Sequence, residues 1–541
     1  MRPRWFLFLL APVAAALLPG AGCARRETPA EAGRRTQTLL LGNGAEPQDL
    51  DPQICVTYTE YNILISLFEG LTCMDEKTSQ PVPGVAERWE ASADGLAYTF
   101  HLRADARWSN GDPLTADDFV FSFHRMLSPG LASEYSYLLY PIRNAEAFNS
   151  GKLSDFAAVG VRALDAHTLR LELGHPCPYL PALAAHQAWF PVHRATIEKF
   201  GRFDQRGTPW TRPGNFVGNG PFLVKEWSPN ARIVVVKNPQ YWDAAHNSLN
   251  AVVFFPNDNI ATDEADFRAG QLHVTNDLLP DRIAHYRATA PETLRIDPFI
   301  QTYYLGFNVT RPPLNDPRVR QALARAIDRD AIARDVLQGS RQPAHAFTPP
   351  DTAGYTAAAS QPSDFAAARR LLAEAGYPGG KDFPRLQVQM FTDAINTKVI
   401  EAIQQMWHRE LGIEVALTNQ DYRVYIDNER SLNYQISLMR WIGDYDDPST
   451  FLGLYKSDCP NNWTGWKDAS YDRLDDQAEA TLDPTKRYAL LQQAEARLLD
   501  QAPIAPIFYG TRTYLIRPYV KGWVPSLLGI HRYQYVHLEP E

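Results

Sequence analysis

The sequence predicts an α/β protein, because segments with the periodicity of strands alternate with segments that have the periodicity of helices. The clearest strand signals are apolar runs rich in β-branched residues, ARIVVVKNPQYW and LNAVVFFP. The longest helix signal is the amphipathic stretch DPRVRQALARAIDRDAIARDVL, which has Pro317 near its start. The chain of 541 residues is too long for one hydrophobic core, so we expect about two to four domains.

The first half of the chain contains well-marked elements in the order strand, helix, strand, helix. TLLLGNGAEPQDLDP predicts a strand that runs into a loop, and YNILISLFEGLTCMD predicts a helix that ends at Gly70. YTFHLR alternates as a strand does, and SNGDP predicts a turn. Thr115 then caps a helix whose first turn holds Asp117 and Asp118, which are favourable at its positive end.

The second half continues the alternation. DFAAARRLLAEAGY predicts a helix ended by Gly376, and TKVIEAIQQMWHRELG predicts a helix that leads into the strand IEVALTN. TKRYALLQQAEARLLDQAP predicts a late helix, which the strand-like segment APIFYGTRTYLIRP follows.

The N-terminal segment predicts export. Arg2 and Arg4 precede the apolar run WFLFLLAPVAAALL, which is too short and too early for a membrane span. PGAGC follows, and the whole looks like a bacterial lipoprotein signal in which residues 1–22 are removed and Cys23 is lipidated, although Gly20 stands where Leu is usual. A plain secretory signal cut nearby is the alternative. The polar residues 23–36 are expected to form a lipid-anchored flexible tether.

Charge and cysteine content narrow the possible functions. The formal charge of -9 argues against a nucleic-acid partner, which would need a basic surface. Cys55, Cys73, Cys177 and Cys459 would lie in an oxidising compartment, where three pairings are open, and no C-x-x-C motif indicates zinc or redox chemistry.

Common catalytic and metal motifs are absent from the sequence. It has no G-x-S-x-G, no H-E-x-x-H, no P-loop and no strand-borne G-x-G-x-x-G. His175, Cys177, His186 and His193 are close in sequence, but their spacing fits no standard zinc site. These absences remove the common indications of an enzyme without excluding one, and no metal or cofactor is indicated.

The stretch MRWIGDYDDPSTFLGLY places three carboxylates within four residues. Asp447 before Pro448 predicts a helix N-cap, and Asp446 would add to the same positive helix end. Asp444 directly follows the strand-like run ISLMRWIG, and ligands of open α/β sheets gather at strand ends. Asp444 therefore either binds a cationic ligand group or pairs with an internal cation such as Arg440.

Several quoted motifs together resemble a known family. PVPGVAERWEASADGLAYTFHLRADARWSNGDPLTADDFVFSFHRML, NGPFLVKEW, PPLNDPRVRQALARAIDRDAI, LLAEAGY, WHRELGIEV and DYDDPSTFL are similar, in this order, to the extracytoplasmic solute-binding proteins of peptide ABC transporters, family 5, and most of all to its oligopeptide-binding members. The resemblance implies a two-lobed α/β fold like that of type II periplasmic binding proteins, with an extra domain, a hinge and a ligand enclosed between the lobes.

The resemblance also implies how the chain divides. Residues 37–68, 198–300 and 512–541 would form a discontinuous domain I, residues 69–197 an extra domain II, and residues 301–511 domain III, the second lobe.

The resemblance assigns ligand-binding roles to individual residues. Asp444 falls on the position whose carboxylate holds the free α-ammonium of the ligand. The other matched positions are the strand beside the peptide backbone (Trp441, Ile442, Gly443), an opposing strand in the other lobe (Val56, Thr57, Tyr58), a tyrosine near the ligand's start (Tyr135 or Tyr137) and two pocket walls (Tyr422, Tyr509).

Two departures concern the far end of the ligand. Leu438 and Asn396 occupy the positions where Arg and His bind the peptide carboxylate in the most similar members. Arg440, two residues from Leu438 on the same strand face, and Lys398 lie nearby. Gln301 and Ile442 replace the cysteines of a disulfide in those members, so that bridge is not expected here.

The implied function is capture of oligopeptides outside the cytoplasm and their delivery to an ABC permease with its ATPase subunits. The protein would be a monomer, periplasmic or at the cell surface, attached to the membrane only through its lipid anchor. A cell-wall (murein) peptide or another cargo of the family is the alternative, and a secreted hydrolase is a more distant one.

Overall fold

The computed structural model of the chain describes residues 26–391 and 394–540, without the side chains of residues 394, 422 and 423. The predicted signal, residues 1–22, and Cys23 lie outside the described residues. No helix in the described part of the chain combines the length and the apolar character needed to cross a membrane.

Helices and strands alternate as the sequence predicts. The helices are α1 (Pro29–Thr36), α2 (Tyr58–Leu67), α3 (Ala116–Leu127), α4 (Ala145–Asn149), α5 (Leu180–Leu183), α6 (Arg194–Phe200), α7 (Ile260–Arg268), α8 (Pro280–Thr289), α9 (Pro317–Arg325), α10 (Arg329–Ala331), α11 (Phe365–Glu374), α12 (Ala394–Leu411), α13 (Tyr422–Arg430), α14 (Ser449–Leu452), α15 (Ala469–Glu479) and α16 (Pro484–Gln501).

The strands build three larger sheets and two small ones. They are β1 (Thr38–Gly42), β2 (Thr72–Met74), β3 (Pro81–Pro83), β4 (Ala86–Ala91), β5 (Ala97–Leu102), β6 (Val161–Asp165), β7 (Thr168–Glu172), β8 (Phe222–Ser228), β9 (Arg232–Lys237), β10 (Ala251–Phe255), β11 (Leu294–Phe307), β12 (Gln342–Pro343), β13 (Leu386–Phe391), β14 (Val415–Gln420), β15 (Ile436–Ile442), β16 (Ile504–Leu515), β17 (Val520–Lys521) and β18 (His537–Leu538).

One lobe contains two four-stranded sheets, each with its own core. The sheet β1-β10-β9-β8 is mixed, since β1 runs parallel to β10, and it packs on α2. The sheet β4-β5-β7-β6 is antiparallel and packs on α3 through a core that includes Phe100, Trp108, Phe119 and Trp189. These two cores are the hydrophobic centres of the first lobe.

The other lobe is built on a six-stranded sheet in the order β12-β16-β11-β15-β13-β14. Helices α9, α11 and α12 cover one face, where Leu305, Leu438 and Trp407 are fully buried. Helices α15 and α16 cover the other face, where Tyr304 and Tyr471 are buried. A sheet covered on both faces explains why the first four residues of β15, Ile436 to Met439, are all buried.

Strands β11 and β16 connect the two lobes. They pair from Leu294 opposite Leu515 to Gly306 opposite Ile504, with an interruption of the register between Pro298 and Thr302. A two-stranded connection with an irregularity in its middle is a suitable hinge, because few backbone bonds resist its bending.

The N-terminal segment is partly ordered, which corrects the expected tether over residues 23–36. Residues 29–36 form α1, whose capping box joins Thr28 to Glu31 in both directions, with distances of 3.2 and 2.7 Å. Ala30 is buried and its N–H donates to the carbonyl of Gly270 at 2.9 Å. A polar segment of this kind is ordered here because the capping box and the contact with Gly270 stabilise the helix.

Two further helices compare with expectation as follows. Thr115 precedes α3 as predicted, and its N–H donates to the Asp118 carboxylate at 2.8 Å. The helix predicted over DPRVRQALARAIDRDAIARDVL is wrong as a single element, since α9 ends at Arg325 and Asp328 caps the separate α10 through the N–H of Ala331. Asp328 is a second N-cap residue within the amphipathic segment, and it allows one helix to end and another to begin there.

The loop that follows β15 is held by a buried ion pair. Both guanidinium NH groups of Arg487 on α16 donate to the Asp447 carboxylate, at 2.7 and 2.5 Å, and both side chains are about 95% buried (5% and 6% exposed). The same carboxylate accepts the N–H of Ser449 at 2.9 Å. The prediction of Asp447 as the N-cap is therefore wrong, since α14 begins one residue later with Pro448 as its N-cap. Asp447 still bonds the start of α14, but its main partner is Arg487.

We expect Asp447→Ala to lower the free energy of unfolding by about 3–5 kcal/mol, because it leaves the Arg487 guanidinium buried without its counter-charge. A lost N-cap alone would cost only about 0.5–2 kcal/mol. Urea unfolding followed by circular dichroism measures the difference. Asp335→Ala, which removes an ion pair whose two side chains are 68% and 60% exposed, is the matched control and should leave the midpoint unchanged. A loss of less than about 1 kcal/mol for Asp447→Ala would contradict the structural role of the ion pair.

Candidate functional site

The central feature of the site is the second half of β15. Along one edge β15 pairs with β11 from Ile436 to Ile442, whereas along the other edge β13 accompanies it only over Ile436 and Ser437. Beyond Ser437 no strand of the described chain continues along that second edge. The end of β15 therefore lies at the cleft between the lobes with one edge facing it.

The backbone of Ile442 faces this cleft edge. The N–H of Gly443 donates to the carbonyl of Ile300 at 2.8 Å, so the backbone of Gly443 is at a hydrogen-bonded position facing β11, although the N–H of Ile300 donates to the carbonyl of Leu527. Pairs alternate in an antiparallel ladder, so the neighbouring pair of Gln301 and Ile442 is a non-bonded one. The N–H and C=O of Ile442 consequently point away from β11 and toward the cleft. This is the geometry that accepts an added strand.

Gly443 allows β15 to end close to the hinge strand. A Cβ atom at this position would lie 2.8 Å from the side chain of Ile300 and 2.9 Å from that of Thr450, which is closer than real Cβ contacts come. The absence of a side chain thus lets the loop turn directly into Asp444, whose N–H donates to the Thr450 hydroxyl at 3.0 Å.

Asp444 is the acidic group at the end of this edge. Burial raises the pKa of its carboxyl to about 6, and a hydrogen bond from the Tyr137 hydroxyl lowers the pKa in part. Tyr137 belongs to the other lobe, so the carboxylate bridges the cleft in this structure. An enclosed carboxylate with a single polar partner is suited to a ligand that brings a positive charge.

The other wall of the cleft corrects one expectation. Val56, Thr57 and Tyr58 do not form a strand, because Thr57 is the N-cap of α2 and Tyr58 is its first residue. The N–H groups of Val56 and Thr57 both donate to the carboxylate of Glu60 at 3.1 Å. The capping box formed by Thr57 and Glu60 explains the difference, and these backbone donors are already occupied.

A cavity of about 210 Å³ lies beside Asp444 between the two lobes. Its lining combines several segments that are distant in sequence: Val56, Thr57, Tyr58, Tyr61, Met74, Tyr135, Ala182, Ala185, His186, Gln187, Phe299, Ile300, Ile442, Gly443, Asp444, Tyr445, Asp446 and Leu528. Of the predicted residues, the structure brings seven to this cavity: Asp444, Ile442, Gly443, Val56, Thr57, Tyr58 and Tyr135. Tyr137 joins them through its bond to Asp444.

Sequence reasoning missed most of the apolar lining. Tyr61, Met74, Ala185, Phe299 and Leu528 carry no local pattern that distinguishes them from core residues. They meet only because α2, β2, the segment after α5, the hinge strand and the C-terminal segment converge here.

The structure places His186, whose spacing from its neighbours fits no zinc site, in the cavity wall. Burial lowers the pKa of its imidazole to about 3, so the ring is neutral at physiological pH. Its Nδ1 accepts the N–H of Ala188 at 3.1 Å, which leaves the proton on Nε2. The rings of Tyr61 and Tyr135 pack against it, with centroids 5.7 and 4.9 Å away.

Other predicted residues lie elsewhere. The side chain of Leu438 is fully buried in the core under α12, so it does not line the cavity, and Asn396 on α12 is also buried. Tyr509 donates its hydroxyl to the carbonyl of Ala346 at 3.0 Å and lines a different cavity of about 350 Å³. Leu438 and Asn396 thus do not line the cavity beside Asp444, and Tyr509 lines another one; contact of these residues with a ligand stays a prediction.

The remaining three predicted residues are placed as follows. Trp441 points to the opposite face of the sheet from Ile442, into the aromatic cluster around Tyr304. Arg440 is exposed, and its guanidinium lies over the ring of Phe391, 5.0 Å from the ring centre. The side chain of Tyr422 lies outside the described residues.

Each residue of the loop from Asp444 to Asp447 contacts a different partner. Tyr445 stacks on Tyr179 of the other lobe, with ring centroids 5.0 Å apart and planes 7° apart. Asp446 is buried and accepts the N–H of Ala353 at 2.8 Å, and burial raises the pKa of its carboxyl to about 7. The position predicted for Asp446, at the positive end of a helix, is therefore wrong. Asp444 and Asp446 both line the cavity, and each carboxylate has a hydrogen bond across the cleft, Asp444 to Tyr137 and Asp446 to Ser79, but only Asp444 directly follows the strand edge.

No metal or disulfide chemistry is evident in the described chain. Within residues 26–391 and 394–540 no group of three His, Cys, Asp or Glu side chains could hold a metal ion. Cys55, Cys73, Cys177 and Cys459 are free thiols in this structure. Gln301 and Ile442, the positions of the missing bridge, do face each other across β11 and β15.

Comparison with known proteins places this geometry in a family. The family model of the bacterial extracellular solute-binding proteins, family 5, matches residues 80–463. The periplasmic oligopeptide-binding protein OppA of Escherichia coli is 36% identical over 525 residues, which is 95% of this chain and 94% of OppA.

Two solved structures agree over the same extent. The unliganded open form of the periplasmic murein tripeptide-binding protein MppA superposes with a TM-score of 0.84, at 35% identity, over 93% of this chain and 97% of MppA. OppA of Haemophilus influenzae in complex with RPPGFSPFR gives a TM-score of 0.72, at 31% identity, over 93% of this chain and 99% of that one. The two-lobed α/β fold and the sequence agree, and the chain belongs to the bacterial extracellular solute-binding proteins of family 5.

Proposed function

We propose that this protein is the extracytoplasmic peptide-binding component of an ABC importer. The observation that carries the proposal is the placement of Asp444 directly after a strand edge that faces the cleft. An extended peptide can add to that edge through its backbone while its α-ammonium meets the carboxylate. The similarity to OppA, and to an OppA that was solved with a peptide, supports the same function.

The direction of the ligand follows from this arrangement. Asp444 lies beyond the C-terminal end of β15, so a peptide whose N-terminus meets Asp444 runs antiparallel to β15. Its backbone then pairs with the cleft-facing groups of Ile442. Main-chain hydrogen bonds do not depend on side-chain identity, which suits a carrier of peptides of varied sequence.

The far end of the peptide lies outside the cavity. None of the described residues that line the cavity is Lys or Arg, so the cavity offers no counter-charge to a carboxylate. Arg440 is two residues before Ile442 on the same face of β15, about 7 Å along the strand, and is our candidate for contact with a later part of the ligand. Recognition of the free amine is the stronger part of the proposal.

Closure of the lobes would couple ligand binding to recognition by the permease. The stack of Tyr179 on Tyr445 and the hydrogen bond from Gln80 to the Ala353 carbonyl, 2.8 Å long, already join the lobes in this structure. Tyr445 directly follows Asp444 in the loop, and the N–H of Ala353 donates to Asp446 of the same loop. Both contacts therefore lie close to Asp444. A ligand held by Asp444 is thus placed where it can bias the lobe arrangement.

The cellular setting is part of the proposal. The OppA and MppA relatives are described as periplasmic, which supports export. We infer a lipid anchor on Cys23 from the signal-like N-terminus, a monomeric state, and a membrane permease with ATPase subunits as partners. Purification of the lipid-labelled protein and mass measurement of its N-terminal peptide test the anchor.

Two alternatives are weaker. A cell-wall peptide would use the same amine site, and MppA, named for murein peptide, is 37% identical over 498 residues. A hydrolase would need a second positioned carboxylate, and Asp447 and Asp446 are occupied by Arg487 and Ala353. The observed contacts therefore favour binding without catalysis.

Asp444→Asn should weaken binding of a peptide with a free N-terminus by roughly 10- to 100-fold, because the charge-assisted hydrogen bonds to the ammonium are lost. Binding of the N-acetylated peptide should change much less. Calorimetric titration of both peptides against both proteins measures the ratio. The matched control is Asp335→Asn, an exposed acid far from the cleft, which should behave as wild type. An equal loss for free and acetylated peptides would refute the role of Asp444.

Peptide affinity should also depend on pH. The pKa of Asp444 in the unliganded protein is raised to about 6, so the carboxylate is ionised at pH 7, where the affinity should be highest. Toward pH 8 the affinity should fall again, because the free α-amino group of a peptide has a pKa of about 7.7–8.0 and loses its charge. Below pH 6 a proton competes with the ligand ammonium, and the affinity should fall by up to about tenfold per pH unit. Titrations from pH 5 to pH 8 measure the profile, which should flatten in Asp444→Asn. A wild-type profile that is flat across this range would contradict the assignment.

A further inference from the structure

The cavity beside Asp444 has a chemical character that goes beyond holding an ammonium group. Its wall on the side of the first lobe consists mainly of apolar and aromatic side chains, with Thr57, His186 and Gln187 as the polar members. Tyr58 and Tyr61 come from α2, Met74 from β2, and Ala182 and Ala185 from the region of α5. The side facing the hinge continues this surface with aliphatic and aromatic groups.

The hinge itself contributes to the cavity. Phe299 and Ile300 lie in β11 where its register with β16 is interrupted, and Leu528 comes from the C-terminal segment. Leu528 packs against the small cluster of Met74, Ala182 and Ala185. A group that fills this space therefore touches both lobes and the strand that connects them.

The charges in the lining have one sign. Asp444 and Asp446 are the acids, no Lys or Arg is present among the described lining residues, and the imidazole of His186 is neutral because it is buried. A carboxylate placed here would meet like charge without a counter-ion, and it would lose its hydration in an apolar environment. The cavity thus disfavours acidic groups.

The polar atoms of the aromatic wall leave few donors for a polar ligand group. The Tyr58 hydroxyl already donates to the carbonyl of Gly529, and the Tyr135 hydroxyl lies 3.5 Å from the carbonyl of Val56. His186 has its Nδ1 occupied by the N–H of Ala188. Apart from the Nε2–H of His186, the surface that remains for a ligand is largely hydrocarbon and ring faces.

Two alanines determine how much room there is. Ala182 and Ala185 are 7% and 8% exposed and stand beside Met74, a flexible side chain that adapts to irregular shapes. Larger residues at either position would fill the space between α5 and Leu528. The size of the cavity is thus set by specific small residues and not by a general looseness of the interface.

We infer that this cavity selects peptides whose first residue has a large apolar side chain, with Ala182 and Ala185 as the residues that set its size. The inference rests on the proposed function, because Asp444 is itself part of the cavity wall. A peptide whose α-ammonium meets Asp444 has its first Cα at the edge of the cavity, and its first side chain is the one that enters. Peptides that begin with Leu or Phe are the favoured class, and peptides that begin with Asp or Glu are disfavoured.

The test uses the full chain and tetrapeptides X-Ala-Ala-Ala with X as Gly, Leu, Phe or Asp, together with N-acetyl-Leu-Ala-Ala-Ala, in calorimetric titrations. Each buried methylene contributes roughly fourfold in affinity, so Leu and Phe should bind at least about tenfold more tightly than Gly. Asp should bind more weakly than Gly.

Ala185→Leu fills the cavity and should lower the affinity for the Phe peptide by about tenfold or more while changing the affinity for the Gly peptide much less. Met74→Ala enlarges the cavity and should shift the preference from Leu toward Phe, which keeps the test valid if Ala185→Leu folds poorly. Ala261→Leu, at an exposed position of α7, is the matched control and should retain the wild-type order.

The outcomes separate the two proposals. Equal affinities for the Gly, Leu, Phe and Asp peptides, together with loss of binding on acetylation, would overturn the selection by the cavity and leave the ammonium site intact. Equal affinities for the free and acetylated Leu peptides would remove the ammonium site and with it the basis of the inference. A ranking that Ala185→Leu and Met74→Ala leave unchanged would also overturn the inference.

Discussion

The unequal pairing of β15 is the constraint on which the rest of the site depends. Strand β11 bonds β15 to its end, whereas β13 leaves it after two residues. Backbone groups in a protein interior must be hydrogen-bonded. The groups on a strand edge without a neighbouring strand therefore bond to water or to a ligand. The six-stranded sheet thus creates a one-strand gap at the cleft, and it does so on the strand that leads into Asp444.

The loop after β15 is rigid because consecutive residues are anchored in different directions. Asp447 is bound to Arg487 on α16, Asp446 to the backbone of Ala353, and Tyr445 to the ring of Tyr179 in the other lobe. These contacts make the position of Asp444 independent of the ligand, which reduces the ordering cost of binding. The same environment raises the pKa of Asp444 to about 6, because burial without a cation disfavours the charged form. The site therefore holds a carboxylate whose charge is stabilised when a cationic ligand arrives.

The apolar cavity and the cleft edge act on different parts of a peptide. In the proposed binding mode, the strand edge contacts the peptide backbone and does not discriminate between sequences, whereas the cavity contacts one side chain and does discriminate. Phe299 and Ile300 belong to both the cavity wall and the hinge strand. Filling the cavity therefore adds contacts between the lobes at the point about which they rotate, which connects the identity of the first residue to closure.

The sequence by itself determined the α/β class, most of the helices and strands, the family and the one acid at the end of β15. Periodicity and capping residues act over a few positions, so the helix starts near Thr115 and Pro317 could be predicted without tertiary context. Tertiary structure decided the rest. The partner of Asp447 lies 40 residues away on α16, the order of α1 depends on contact with Gly270, and the side chain of Leu438 points into a core that only the packed α12 defines. The cavity is the clearest case, because Met74, Ala185, Phe299 and Leu528 come from four separate segments. Each looks like an ordinary core residue in the sequence, and their convergence follows from how the lobes and the hinge pack.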